Sequence, residues 1–295
     1  MAPQGKSKHR IQCIADVRAN VGEGPVWVPA EQRLYWVDNK GRKIFRRDES
    51  GDVRTFETLF EICCLAPKRS GGFIAGTNRG LAAIDPEASR YDLLENPESG
   101  LPGNRFNDGK VDPWGRFWSG TMDNAEKAAT GSLYRFEHDL SWIRMDSGYR
   151  VTNGPAFDRD RLRMYHTDSA AKVIYVFDLT QTGELSGRRV FCQFDEKDGS
   201  PDGMTVDSEG HLWVCFWDGW CIRRLSPAAE VVETIEMPVQ RPTSCAFGGP
   251  NLDQLYVTSA RLGIDQEALG MQPCAGGLFL VDTGVRGVAE MSFAG

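Results

Sequence analysis

Four residues with oxygen-bearing side chains stand at the entrances of strand-like segments, and three of them are followed directly by glycine. A glycine at such a point lets the backbone turn tightly and approach a ligand. Carboxylate and amide oxygens that converge repel one another unless a cation lies between them, and hard divalent cations prefer oxygen ligands. The pattern predicts a site for Ca²⁺, Mg²⁺ or Mn²⁺, with Fe²⁺ or Zn²⁺ compatible when water completes the coordination. The four residues are Glu23, Asn107, Asn153 and Asp202. The alternative is that the Asn-Gly and Asp-Gly pairs only form turns.

Whether these residues converge depends on the elements that hold them, and the chain contains a sixfold repeat of such elements. Each copy has a short strand-like run around an aromatic or large apolar residue, preceded by one strand-like run and followed by another. Three regular strands and a less regular fourth describe one blade of a β-propeller, and a repeat of ~40–50 residues fits that architecture. Successive copies are 38, 44, 47, 48 and 43 residues apart, and their central residues are Trp36, Ile74, Trp118, Tyr165, Trp213 and Tyr256.

An all-β, six-bladed propeller gives the oxygen-bearing residues a common location. The first strand of each blade lines the central channel, so its entrance opens on one face of the ring. Counting back 11 to 13 residues from each central residue selects Glu23, Ile62, Asn107, Asn153, Asp202 and Ser244. Segment 11–15 is expected to join the last blade and close the ring. The predicted organisation is a flexible tail, residues 1–10, and one propeller domain, residues 11–295.

Composition excludes several function classes. The 295 residues carry a net charge of −7, which gives no footprint for nucleic acid. No apolar run is long enough to span a membrane, and the first ten residues lack the apolar core of a secretory signal. The eight cysteines form no C-x-x-C pair and mostly lie in apolar runs. We therefore expect reduced thiols and a cytoplasmic location. The sequence carries no signal of oligomerisation, and a monomer is the default expectation.

The motifs resemble those of the gluconolactonase/regucalcin family, also called the senescence marker protein family, over nearly the whole chain. Any one motif is weak, but their order and spacing are specific. They are Gly22-Glu-Gly-Pro25, Arg105-Phe-Asn-Asp-Gly-Lys-Val-Asp-Pro113, Gly120-Thr-Met122, Thr152-Asn-Gly-Pro155, Tyr165-His-Thr-Asp168, Ser200-Pro-Asp-Gly-Met204, Thr243-Ser-Cys-Ala-Phe-Gly-Gly249, Thr258-Ser-Ala-Arg261 and Phe293-Ala-Gly295.

The resemblance implies a six-bladed propeller and assigns roles to five residues. Glu23, Asn153 and Asp202 would ligate one divalent metal ion, and Arg105 and Asn107 would hold the oxygens of the substrate. The sequence departs from the family in the loop after Met122. An acidic residue that contacts substrate in regucalcin corresponds here to Ala125 by strict counting, with Glu126 beside it and Asp123 close by.

The implied reaction is hydrolysis of a sugar lactone, gluconolactone- or pentonolactone-like, to the aldonic acid. A bound metal ion would act as a Lewis acid, and Asp202 would be the general base that takes a proton from water. Asp108 is expected to cap a turn, and Trp217 and Trp220 are candidates for stacking on a sugar.

Other catalytic signals are weak. His166 is expected to be a hydrogen-bonded structural histidine, and no G-x-S-x-G nucleophile elbow is present. Two alternatives remain open, a non-enzymatic calcium-binding regulatory propeller and a metal-dependent esterase of broader specificity. An open, apolar channel mouth would favour the esterase, and a narrow, polar one would favour the sugar lactonase.

Overall fold

Six four-stranded antiparallel sheets make up the protein, and the computed structural model describes residues 9–295. Each sheet is one blade of a propeller, so the predicted fold is confirmed. Blades 1, 2 and 3 consist of β2–β5 (Gly22–Val28, Arg33–Asp38, Lys43–Arg47, Val53–Glu57), β6–β9 (Ile62–Pro67, Phe73–Thr77, Gly80–Asp85, Arg90–Leu93) and β10–β13 (Asn104–Val111, Phe117–Asp123, Gly131–Phe136, Trp142–Tyr149). Blades 4 and 5 consist of β14–β17 (Thr152–Asp158, Arg163–Asp168, Val173–Leu179, Leu185–Gln193) and β18–β21 (Ser200–Val206, Leu212–Trp217, Cys221–Leu225, Val231–Glu236).

The last blade closes the ring as the sequence predicts. Its strands β22–β24 (Pro242–Gly248, Gln254–Ser259, Leu278–Val281) are completed by β1 (Ile11–Ala15), which pairs with β24. Two short helices interrupt the strands, a 3₁₀ turn at Glu196–Asp198 and α1 at Gln266–Met271. No helix within residues 9–295 has the length and apolarity needed to cross a membrane.

Of the predicted tail, residues 1–8 lie outside the described part of the chain. The remaining two residues contact the last blades. The His9 ring is 2.8 Å from the Asp282 carbonyl and 2.7 Å from the Glu233 carboxylate, and the Arg10 carbonyl accepts from the Asp282 amide. All eight cysteines are free thiols.

The hydrophobic core is divided among the junctions between blades. Apolar side chains from facing sheets form six clusters, one at each junction. Both faces of a blade are therefore covered by neighbouring blades. The innermost strands β2, β6, β10, β14, β18 and β22 pack side by side around the channel.

In five of the six copies the central residue of the repeat packs against the next blade along the chain. In the first blade the predicted central residue, Trp36, is wrong by one position. There Tyr35 faces blade 2, with its ring centroid 4.7 Å from that of Phe73. Trp36 lies on the other face and stacks on Phe45 of its own blade at 5.2 Å. Both residues are buried, because neither face of a blade is exposed to solvent, so the alternation of the sequence does not distinguish them.

His166 on β15 is fully buried, but it is not the hydrogen-bonded histidine that the sequence predicts. Neither ring nitrogen lies within hydrogen-bond distance of a polar atom of the described chain. The ring packs edge-on against Tyr149, with centroids 4.7 Å apart. Burial, and secondarily the positive charge of Arg188, lowers the pKa of His166 to about 3. His166 is therefore neutral in the folded protein at physiological pH.

Because of His166, the free energy of unfolding is expected to depend on pH. A depressed pKa in the folded state means that only the unfolded chain takes up the proton as the pH falls from about 6.5 towards 3. We expect this group alone to destabilise the fold by up to about 5 kcal/mol over that range. In His166→Leu that contribution should be missing when urea unfolding is measured from pH 7 to pH 4. The exposed His138, changed to glutamine, is the control, and equal pH slopes for wild type and His166→Leu would contradict the assignment.

Candidate active site

A pocket of about 260 Å³ opens at one end of the central channel. It is somewhat smaller than the ~300–1,000 Å³ typical of drug-sized ligand sites, so it suits a small molecule. Its polar base brings together the residues that the sequence singled out, whereas the two remaining channel positions, Ile62 and Ser244, do not line it. The predicted site residues in its lining are Glu23, Arg105, Asn107, Asn153 and Asp202.

The five predicted site residues in the pocket lie on inner strands that change register near it. On β14 the shift falls between Asn153 and Ala156, and on β18 it falls between Pro201 and Met204. Corresponding shifts occur on β2, β6, β10 and β22. A bulge of this kind adds a residue to one strand and redirects its side chain. The repeated bulge explains how residues from four blades converge although they are far apart in sequence.

Steric constraints explain why glycine follows two of the predicted metal ligands. Gly154 has a φ of +79°, a left-handed conformation that side chains other than glycine seldom adopt. Gly203 has ordinary backbone angles, but a Cβ there would lie 2.3 Å from the Ser244 hydroxyl oxygen. The inner strands of blades 5 and 6 therefore approach closely at the pocket.

Two carboxylates that line the pocket, Glu23 and Asp202, are costly to ionise. Asp202 is only 6% exposed, and burial, followed by the charge of Asp108, raises its pKa well above the usual value. Burial and the nearby Asp202 charge likewise raise the pKa of Glu23. The Gly24 amide donates a hydrogen bond to the Glu23 carboxylate at 3.2 Å, which offsets only part of this rise in pKa. Neighbouring carboxylates with limited access to water are the environment that a divalent cation stabilises.

The amide side chains are oriented by a short relay of hydrogen bonds. Asn153 Nδ2 donates to the Ser169 hydroxyl at 2.8 Å, and that hydroxyl donates to the Pro201 carbonyl at 2.6 Å. This fixes the Asn153 amide with its Oδ1 oxygen towards Asn107, whose Nδ2 lies 3.2 Å away. Ser169 was missed by sequence reasoning. Its position in the repeat is the signal that could have found it. Ser169 follows Asp168 in blade 4 just as Asn39 follows Asp38 in blade 1, and Asn39 also lines the pocket.

Arg105 is held rigidly beside these amides. Its Nη1 donates to Asn107 Oδ1 at 2.7 Å and to the Phe106 carbonyl at 2.9 Å, and its Nε donates to Asn124 Oδ1 at 2.9 Å. A guanidinium tied at several points is preorganised to bind oxygens of a ligand.

Asp108 caps the turn, as predicted. Its carboxylate accepts from the Gly109 amide at 2.7 Å and, across the blade junction, from the Gly154 amide at 2.9 Å. Burial raises its pKa to about 6. Asp108 therefore links the bulges of blades 3 and 4 rather than lining the pocket.

The loop after Met122 places one acidic residue at the pocket. The Asp123 carboxylate accepts from the amides of Ala125, Lys127 and Ala128, and these hydrogen bonds lower its pKa. Within this turn Glu126 has a φ of +59° and lines the pocket, which neither Asp123 nor Ala125 does. Asp123 thus organises the loop and Glu126 reaches the ligand space.

The donors available for a metal ion are all oxygens. Among residues 9–295 no three His, Cys, Asp or Glu side chains cluster as a metal site would require. The candidate centre instead consists of two carboxylates, Glu23 and Asp202, with the amide oxygen of Asn153. This set suits a hard cation. The remainder of the pocket wall includes apolar side chains, among them Trp217 and Leu262, and His166 and Trp220 lie outside it.

The chain matches known proteins over nearly its full length. The family model described as the SMP-30/Gluconolactonase/LRE-like region covers residues 21–261. The 6-deoxy-6-sulfogluconolactonase of Pseudomonas putida is 36% identical over 97% of this chain and 99% of its own. Regucalcin of Danio rerio is 36% identical over 98% of this chain and all of its own.

A solved structure agrees with these matches. The calcium-binding protein regucalcin of Agrobacterium tumefaciens superposes with a TM-score of 0.91 at 27% identity, covering 95% of this chain and 96% of that one. The similarity thus extends from the sequence to the arrangement of all six blades. The protein is a member of the SMP-30/Gluconolactonase/LRE-like family of six-bladed propellers.

Proposed function

We propose that this protein hydrolyses an aldonolactone to the open-chain aldonic acid, using a divalent cation held by Glu23, Asn153 and Asp202. The observation that carries the proposal is the pair of neighbouring carboxylates, buried Asp202 and partly buried Glu23, beside a tethered arginine in one small pocket. A structural scaffold gains nothing from such an arrangement, because buried like charges destabilise the fold. The lactonase relative supports the reaction class.

The residues present fit a cation in number and type. Glu23 and Asp202 supply the negative charge, and Asn153 supplies an oxygen whose direction is fixed by Ser169. When bound, the cation supplies Lewis acidity towards the lactone carbonyl. The Agrobacterium relative is a calcium-binding protein, which makes Ca²⁺ one candidate for this chain. Zn²⁺, Mn²⁺, Mg²⁺ and Fe²⁺ are the other cations to be compared with it.

Side chains of this protein bind the substrate and transfer the proton. Arg105 and Asn107 bind the oxygens of the lactone and orient its ring, and the Arg105 charge stabilises negative charge that develops on them. Glu126 adds an acceptor for a sugar hydroxyl. Asp202 takes a proton from the attacking water as the water oxygen bonds to the carbonyl carbon. The ring C–O bond then breaks, Asp202 returns the proton to the former ring oxygen, and the acid leaves.

The shape of the pocket favours a sugar lactone over a larger ester. Its volume is about 260 Å³, and its lining combines polar side chains with apolar ones such as Trp217 and Leu262, so its small size rather than its polarity carries this preference.

The test is a panel of γ- and δ-aldonolactones and an aryl ester, each assayed with the five cations after spontaneous ring opening is subtracted. Turnover of at least one aldonolactone that exceeds turnover of the aryl ester is expected. Preference for the aryl ester would indicate the broader esterase. Tight cation binding without turnover of any ester would indicate the non-enzymatic calcium-binding alternative.

A further inference from the structure

We infer that Trp217 and Leu262 form an apolar wall that binds the C–H face of the lactone ring, and that Arg241 is the residue that positions this wall. The inference rests on the proposed function and adds a specificity determinant to it. Both wall residues line the pocket, Trp217 as the last residue of β19 and Leu262 in the segment after β23.

Arg241 connects the two halves of the wall. Its guanidinium lies 4.6 Å from the centroid of the Trp217 ring, within the range of a cation–π contact. The same group donates through Nη1 to the Leu262 carbonyl and through Nε to Asp218 Oδ1, the latter at 2.6 Å. One side chain therefore fixes the ring of Trp217 and the backbone of Leu262 together.

Asp218 keeps Arg241 in this position. Besides Arg241, its Oδ1 accepts from Gln240 Nε2 at 2.7 Å. Asp218 also has a φ of +60°, so the turn after Trp217 is held in the left-handed conformation. The arginine contacts the Trp217 ring, and the Trp217 side chain also lines the pocket.

The wall complements the polar base in its chemistry. Glu23, Asp202, Arg105 and Asn107 present charged and amide groups, whereas Leu262 is apolar and Trp217 is apolar apart from its indole N–H. A six-membered sugar lactone with equatorial hydroxyls has its oxygens at the edge and C–H groups on its faces, so an aromatic ring packs against a face without leaving a hydroxyl unpaired. The wall therefore selects compact lactones whose face towards Trp217 is free of hydroxyls.

The experiment compares steady-state constants and binding for four variants. Trp217→Ala is expected to raise KM about tenfold with kcat within about threefold of wild type, because ring packing is lost but the reacting groups remain. Trp217→Phe should keep KM within about threefold. Arg241→Gln should raise KM between about threefold and tenfold, since an ordered wall becomes mobile.

Arg223→Gln is the matched control. Arg223 also stacks on an aromatic ring, Phe216 at 4.6 Å, and pairs with Asp198 at 2.8 Å, but it lies outside the pocket. Its loss should lower the melting temperature without changing KM. If Arg223→Gln and Arg241→Gln changed KM alike, Arg241 would have only a general structural role.

A non-hydrolysable probe separates this inference from the proposed function. An aldonolactam with the same ring is titrated calorimetrically into the cation-loaded protein. If Trp217→Ala binds the lactam about tenfold more weakly than wild type does, the result supports the wall. That support holds even if wild type turns over no lactone, in which case only the proposed function fails. Normal turnover by wild type with unchanged KM and lactam affinity in Trp217→Ala would overturn the wall alone. Wild type that neither hydrolyses lactones nor binds lactams would overturn both.

Discussion

Asp202→Asn is expected to reduce lactone turnover roughly a thousandfold while the propeller remains folded, because the change removes both a metal-ligating charge and the proton acceptor. Folding should not suffer. Asp202 is a buried carboxylate close to the Glu23 and Asp108 charges, so its neutralisation relieves repulsion in the metal-free protein. The metal-free melting temperature should therefore equal or exceed that of wild type. Calorimetric melting with and without added cation should show that Asp202→Asn loses most of the rise in melting temperature that the cation causes in wild type.

Ser244→Ala is the control for this substitution. Ser244 was selected by the same counting rule but lies outside the pocket, so its variant should retain turnover and the melting rise on cation addition. An Asp202→Asn protein that kept wild-type turnover and a wild-type melting rise would remove Asp202 from the site.

Arg105→Ala is expected to lower kcat/KM at least about a hundredfold, through lost substrate orientation and lost stabilisation of negative charge. Because Arg105 is not among the proposed ligands, the melting rise on cation addition should survive. Arg105→Lys should recover only part of the loss, since an ammonium group cannot bond Asn107, Phe106 and Asn124 from the same positions and still meet a ligand.

Arg188→Ala serves as the matched control for Arg105. Arg188 forms an ion pair with Asp146 at 3.1 Å and stacks on Tyr175, but it is not part of the pocket lining. Stability should fall and kcat/KM should hold. Full recovery of kcat/KM by Arg105→Lys would show that only the charge of Arg105 matters.

The architecture was predictable because each blade repeats the same sequence pattern of turns and apolar strands. The repeat also located β1 in the last blade, where it pairs with β24. The one error of register, Trp36 for Tyr35, has a physical cause. Between two blades both faces of a strand are buried, so hydrophobicity does not show which of two adjacent aromatic residues faces the next blade.

The candidate site was predictable in its channel residues and not in its loops. Glu23, Asn153 and Asp202 share one position in the repeat, and the blade geometry brings them into one pocket. Ser169 and Glu126 enter it through a hydrogen-bond relay and a loop with a left-handed residue, neither of which leaves a periodic signal. His166 shows the same limit, since a sequence does not reveal whether a buried ring finds a partner.

The most direct test of the central claim is lactone turnover by metal-stripped protein titrated with a divalent cation. One centre formed by Glu23, Asn153 and Asp202 predicts negligible activity without metal and a linear rise that levels off at one cation per chain. Full activity of the metal-stripped protein on an aldonolactone would contradict the account.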